Sequence, residues 1–342
     1  MAGRRYTPRT QTHPPATRTT VRGGETRVPP PAPSIPHQAP ATRTYTPPAP
    51  LHLGLTLGPL RRGPADPTFR TTPDGALWRT SRTPQGPATL RVAERDGTVQ
   101  AQAWGPGSDW FLDQLPALLG ELDDPAPFEP RHRLVAESAR RRTGLRLTRT
   151  GLVLESLIPS ILEQKITTDE AYRAWRLLLH KYGETAPGPA GQDLRMRVMP
   201  DARAWTLIPS WEWHRAGVDN KRASTIIRAA KVARRLEEAA GMEPVRARAR
   251  LELVPGIGPW TSAETIQRTN GAPDEVTTGD LHLPRTIGYA LAGNRDATDE
   301  DMLELLAPYE GQRHRAARLI LLSGVAPPRR QPKMRRVNIA EW

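Results

Sequence analysis

Residues 251–271 read LELVPGIGPWTSAETIQRTNG. Apolar spacing predicts a helix ending near Val254, a tight turn over Pro255-Gly256-Ile257-Gly258, and a second helix from Pro259-Trp260. A proline is tolerated in a helix's first turn, where its missing N–H costs nothing. Two glycines two residues apart let the backbone take positive φ and come close to a ligand. The turn amides and the new helix N-terminus then form a site for a phosphate oxygen. Ile257, between the glycines, is placed to plug the gap between the helices. Any helix–helix turn can use Gly-x-Gly, so the discriminating feature is the whole phrase V-P-G-I-G-P-W-T-S-A.

Outward from this hairpin, three- and four-residue apolar spacing continues almost without interruption from about Arg131. Segments such as LVLESLIPSILEQKI, AYRAWRLLLHKYG and HRAARLILLSG predict a bundle of about 200 residues. Gly183, Gly241, Gly271, Gly293 and Gly324 are the expected left-handed helix ends. Residues 51–104 instead alternate short apolar runs with turn residues, and Arg95-Asp96-Gly97 in ATLRVAERDGTVQAQAW reads as a hairpin turn. A small antiparallel sheet is expected, with a helix over WFLDQLPALLGEL (110–122) packed on it. Asp123-Asp124-Pro125 marks a boundary. The expected class is α+β: a β-rich domain at 51–128, then an all-α domain at 129–326. Residues 1–50 hold 12 Pro, 10 Thr and 7 Arg against one acid, Glu25, and carry no apolar period. They read as a disordered tail, and 327–342 as a basic one.

The chain has 342 residues, 49 Lys+Arg against 36 Asp+Glu, a net charge of +13 and no cysteine. Without cysteine there is no disulfide, thiolate nucleophile, Cys-ligated zinc or iron–sulfur cluster. No apolar stretch is long enough to span a membrane, and the first 25 residues lack a secretory apolar region, so a cytoplasmic, nucleoid-associated protein is expected. The surplus charge points to a polyanion such as nucleic acid. About +6 of it lies in residues 1–50, and 44 of the 49 basic residues are Arg, a bias that GC-rich coding also produces.

LVPGIGPWTSA resembles the helix-hairpin-helix element of the DNA glycosylase superfamily. Thr277-Thr278-Gly279-Asp280 follows 19 to 22 residues after Gly258 and resembles that family's loop ending in a catalytic aspartate. SILEQKITTDEAYRAW resembles its earlier DNA-facing segment. A β-rich start before a helical domain is similar to the alkylation-repair, 3-methyladenine glycosylase II branch. The resemblance spans about 51–326. It implies a monofunctional enzyme that flips alkylated bases out of double-stranded DNA and hydrolyses them off during base excision repair. It implies no cofactor, and a monomer is expected.

Breaking the base–sugar bond passes through a sugar with oxocarbenium character. A carboxylate beside it stabilises the charge and orients water. Asp280 is the candidate; it also reads as an N-cap for the helix that follows, and one residue can do both. Relatives that cut the strand carry a Schiff-base Lys where this chain has Trp260, so no lyase activity is expected. Trp260 reads either as a ring face for a cationic alkylated base or as core packing. Glu264 and Leu281 stand where relatives carry pocket aromatics. Glu264 reads either as an attractor for a cationic base or as part of a solvated face. Gly256, Ile257, Gly258 and Thr261 are placed at the DNA backbone, with a monovalent cation implied at the carbonyls of Val254 and Gly256. Gln164 and Lys165, with Ile166, stand where a wedge fills the hole left by a flipped base, or form a solvated helix start. Lys221, Arg222, Arg228, Lys231, Arg234 and Arg235 make either a phosphate-facing stripe or a solvated face. His282 is given no catalytic role, and Trp205, Trp211 and Trp213 are expected in the core. A rival reading is a non-catalytic helix-hairpin-helix DNA-binding or damage-sensing protein; a third is an RNA-binding protein led by its Pro/Arg tail.

Overall fold

The computed structural model describes residues 39–328. The tail expectations for residues 1–38 and 329–342 lie outside the described residues. Strands β1 (Ala41–Tyr45), β2 (Phe69–Thr71), β3 (Leu77–Thr83), β4 (Gly86–Arg95) and β5 (Thr98–Trp104) form one antiparallel sheet in the order β1-β5-β4-β3-β2. The β4–β5 turn is the predicted one: Asp96 (φ 51°) and Gly97 (φ 74°) are both left-handed, which matches the twist of the paired strands.

Strand β1 corrects the reading of 1–50 as wholly disordered. Ala41, Arg43 and Tyr45 point inward while Thr42 and Thr44 face solvent. Its partner β5 is far along the chain, with Thr44 opposite Gln100, so nothing local marks the strand.

The sheet is covered on both faces. Leu77, Leu90, Val92 and Val99 pack with α1 (Leu53–Leu57), α2 (Ser108–Asp113) and α3 (Leu115–Leu118). On the other side Trp78 and Trp104 stack at 5.5 Å beside Ala190, Met196 and Val198. This double cover explains why polar residues of β3 are buried; Arg79 pairs with Glu155 there. The helix expected over 110–122 is two short ones, α2 and α3, which meet at Gln114 just before Pro116.

Next come α4 (Arg133–Arg141), α5 (Val153–Leu162), α6 (Thr168–Tyr182), β6 (Glu184–Thr185), α7 (Pro189–Gln192), β7 (Arg197–Val198), α8 (Ala202–Thr206), α9 (Ser210–Arg215), α10 (Asn220–Lys231) and α11 (Ala233–Glu237). They are followed by α12 (Pro244–Glu252), α13 (Pro259–Thr269), α14 (Leu283–Ala292), α15 (Asp299–Leu306) and α16 (Arg313–Ser323). The β6–β7 pair was not expected inside the helical region. Gly293 and Gly324 are left-handed helix ends as expected, whereas Gly183 ends α6 in an extended conformation (φ −73°, ψ 149°). Gly241 lies in a 3-10 turn without positive φ. Trp205 and Trp213 are fully buried and stack at 5.8 Å, but Trp211 is 65% exposed and outside the core.

The helices build two cores. One gathers Leu157, Ile161, Trp175, Ile226, Ile257 and Ile266 from α5, α6, α10 and the hairpin. The other gathers Val135, Ile287, Met302 and Ile320 from α4 and α14–α16, with Leu55 of α1 packed against it. Contacts cross the expected division at 128/129: His52 N donates to Gly144 O at 2.8 Å, and Arg268 Nε to Pro59 O at 3.1 Å. Helix α13 lies in the first core and holds the loop that leads into the second.

Candidate active site

The hairpin is α12, a turn at 253–258, and α13. Ile257 is 5% exposed and packs with Val254 in the first core, the plug role expected of it. Ile257 N donates to Val254 O at 3.0 Å and closes the turn. Gly256 has φ 101°, and a Cβ there would lie 2.2 Å from Thr225 Oγ1 of α10, so glycine is required by backbone and by space alike. Gly258 differs from expectation: its φ of −115° is extended backbone, and a Cβ there would meet nothing within 4 Å. The open space at Gly258 sits at the start of α13, which no side chain caps. First-turn amides without a cap are available to an anion.

Gln164, in the turn between α5 and α6, is bonded to this hairpin. Its Nε2 donates to Gly256 O at 3.0 Å and to Thr261 Oγ1 at 2.8 Å. It therefore braces the hairpin, and Thr261, 2% exposed, points its hydroxyl inward. Lys165 is exposed in a left-handed conformation (φ 58°) at the tip of the same turn. The carbonyls implied for a cation each accept one hydrogen bond, Gly256 O from Gln164 Nε2 and Val254 O from Ile257 N, which leaves each a second lone pair. Of the basic residues on α10 and α11, Arg222 is buried and donates to Leu162 O at 2.8 Å. Arg228 reaches Pro255 O of the hairpin turn at 3.1 Å. Lys221, Lys231, Arg234 and Arg235 are exposed.

Asp280 ends the 270–282 loop and accepts three hydrogen bonds. Oδ1 takes the amides of His282 (2.7 Å) and Leu283 (2.8 Å), which start α14, and Oδ2 takes Trp260 Nε1 at 2.9 Å. The N-cap position itself is His282, so Asp280 holds the helix start from two residues before it rather than as its N-cap. The loop is held from two further sides. Gly279 N donates to Asp299 Oδ2 of α15 at 2.7 Å, and Thr277 Oγ1 donates to Glu264 Oε1 of α13 at 2.8 Å.

Asp280 lines a cavity of about 200 Å³ together with Glu264, Gln267, Thr277, His282, His314 and Arg318. A second chamber of about 430 Å³ shares Glu264, Gln267, His314 and Arg318 and continues to Gly54, Gly58 and Pro59 at α1. The larger is within the ~300–1,000 Å³ of small-molecule sites. Trp260 lines neither; its ring backs the carboxylate. Leu281 lines neither and is 66% exposed. Glu264 does line both, but its charge is met by Arg268 Nη1 at 2.8 Å.

Sequence reasoning missed Arg268, His314, Arg318 and Asp299. Glu264 and Arg268 stand one turn apart on α13, as His314 and Arg318 do on α16, so their helical faces were readable but not what those faces meet. Burial, reinforced by Arg318, Arg268 and Arg315, holds the His314 imidazole well below its usual range and so neutral. Burial, then the charges of Arg268 and Arg315, push Arg318 down to about 10, which leaves it charged at neutral pH.

No protein-family model and no curated protein sequence matches the chain. Solved structures do. The 3-methyladenine DNA glycosylase of Archaeoglobus fulgidus aligns at TM-score 0.67 and 16% identity, over 82% of this chain and 98% of its own. MBOgg1, solved with a low-affinity DNA ligand, aligns at 0.67 and 14%, over 85% and 98%. An 8-oxoguanine glycosylase/lyase of Clostridium acetobutylicum, solved on double-stranded DNA, aligns at 0.64 and 10%, over 84% and 98%. With its α12–α13 hairpin and a following loop that ends in an aspartate, the chain has the fold of the helix-hairpin-helix DNA glycosylases.

Proposed function

We propose that the chain is a monofunctional DNA N-glycosylase that removes a damaged base from double-stranded DNA during base excision repair, acting as a monomer on the nucleoid. The observation that carries this reading is Asp280, a carboxylate fixed by three hydrogen bonds in the wall of a cavity one helix away from an uncapped hairpin terminus. The amides around Gly258 hold the phosphate beside the lesion. Lys165, projecting beside them, enters the gap left by the base that has swung into the cavity. Asp280 then stabilises the positive charge that develops on the sugar and orients a water for attack at its C1′. The strand stays intact because the position that carries an amine in strand-cutting relatives is here an indole, which forms no Schiff base. No step runs through a cation at Val254 and Gly256.

The substrate class that the sequence resemblance implies is an N-alkylated purine of the 3-methyladenine kind. The fold does not choose it, since glycosylases named for 3-methyladenine and for 8-oxoguanine both align with this chain, at TM-scores of 0.67 and 0.64. The deciding experiment incubates the full chain with duplexes that each contain one alkylated, oxidised or deaminated base and measures free base and strand cleavage. Free base with an intact strand is expected. Binding without release from any duplex would instead support a damage-sensing protein.

A further inference from the structure

The Asp280 cavity lacks what attracts a cationic base. A positively charged purine is held by aromatic faces or by an unpaired carboxylate. Among the described residues no Trp, Tyr or Phe lines either chamber. Glu264 reaches both chambers with both oxygens engaged, Oε1 by the Thr277 hydroxyl at 2.8 Å and Oε2 by Arg268 at 2.8 Å; Glu275 lines the smaller cavity and is paired with Arg248 Nη1 at 3.1 Å; Asp280, also confined to the smaller cavity, holds three hydrogen bonds. Opposite stands α16, which sets Arg318 and the neutral His314 against both chambers. Arg318 spends one N–H on Leu55 O at 2.7 Å, and a guanidinium has five. This wall therefore offers donors and positive charge; it repels a cation and suits an acceptor.

We infer that the cavity takes a neutral base that presents a carbonyl to Arg318, an oxidised or deaminated base, in preference to a cationic alkylated purine, with Arg318 as the group that selects it. The inference rests on the glycosylase reading above and departs from the alkylated-base expectation. Asp280 serves the same role for either substrate, because the charge it meets is on the sugar. A neutral base is the poorer leaving group, and donors aimed at its carbonyl draw electron density from the breaking bond and so assist its departure.

The test uses the full chain and three duplexes, with 7-methylguanine, 8-oxoguanine or hypoxanthine at one position, and divides each single-turnover release rate by the spontaneous rate for the same duplex. The two carbonyl-bearing neutral bases are expected to show accelerations at least about tenfold greater than 7-methylguanine; which of the two is faster separates an oxidised from a deaminated substrate. Arg318→Met is expected to remove that preference, and Arg318→Lys, which keeps a charged donor, to retain part of it. Melting curves and binding to an abasic duplex check that both variants fold. A larger acceleration for 7-methylguanine, or an unchanged preference in a folded Arg318→Met, overturns the inference while the glycosylase reading stands. Release of no base from any duplex that the protein binds overturns both.

Discussion

Asp280→Asn separates the structural task of one carboxylate from the catalytic task that the proposed function gives it. The amide has the same shape, and its oxygen goes on accepting the His282 and Leu283 amides, so the start of α14 is preserved. On the other side the new NH₂ confronts Trp260 Nε1, two donors face each other, and one hydrogen bond to a charged group is lost. At this partly exposed position that costs about 1–2 kcal/mol of stability. The catalytic loss is larger. A unit charge ~4 Å from the developing sugar cation, at an effective dielectric of ~20, contributes about 4 kcal/mol, which is about a thousandfold in rate. The variant should therefore fold, bind duplex DNA as the parent does, and release base about a thousandfold more slowly. The assay is single-turnover release from whichever lesion duplex the parent processes fastest, beside fluorescence anisotropy for binding. Release within about tenfold of the parent, a difference of only ~1.4 kcal/mol, would refute the electrostatic role.

Three further outcomes follow from the geometry. Gly256→Ala should cost about 2–4 kcal/mol in denaturant unfolding, from positive φ together with the clash on Thr225, whereas Gly258→Ala should leave stability within ~0.5 kcal/mol yet weaken duplex binding by obstructing the phosphate. His314 is neutral in the fold and protonates when unfolded below about pH 6.5, so stability is unaffected above that pH and falls by up to ~1.4 kcal/mol per unit below it. His314→Gln should flatten that slope when unfolding free energies at pH 7.5 and 5.5 are compared, and an unchanged slope would place the titration elsewhere. Trp260→Lys puts an amine against Asp280 and should allow borohydride to trap the protein on abasic DNA, which the parent does not do.

What the sequence disclosed was set by local constraint. V-P-G-I-G-P-W admits few backbone paths, and Asp96-Gly97 few turn types, so both were legible without the rest of the molecule. The distance from Gly258 to Asp280 was likewise readable, because a single helix and one loop span it. Strand β1 was hidden by the prolines on either side of it and by a partner more than fifty residues away. Arg222 looked like a surface cation, and only the approach of the Leu162 carbonyl makes it an interior one. Trp211 shared a tryptophan-rich segment with two core residues, yet the short α9 turns it outward. The α16 wall of the cavities was illegible for the same reason in stronger form, since α16 and α1 meet there from opposite ends of the fold.

That meeting has a consequence for how the protein is made. Arg318 from near the end of the described chain grips Leu55 from near its start, and Ser138 is hydrogen-bonded to Leu319. On a ribosome, residues 54–59 emerge hundreds of residues before their partners, so the chamber stays open-walled until the last helix arrives. A nascent or prematurely terminated chain would carry the hairpin and Asp280 without a closed chamber. Under the proposed function such a chain is expected to release no base, and release to begin only once synthesis has passed α16.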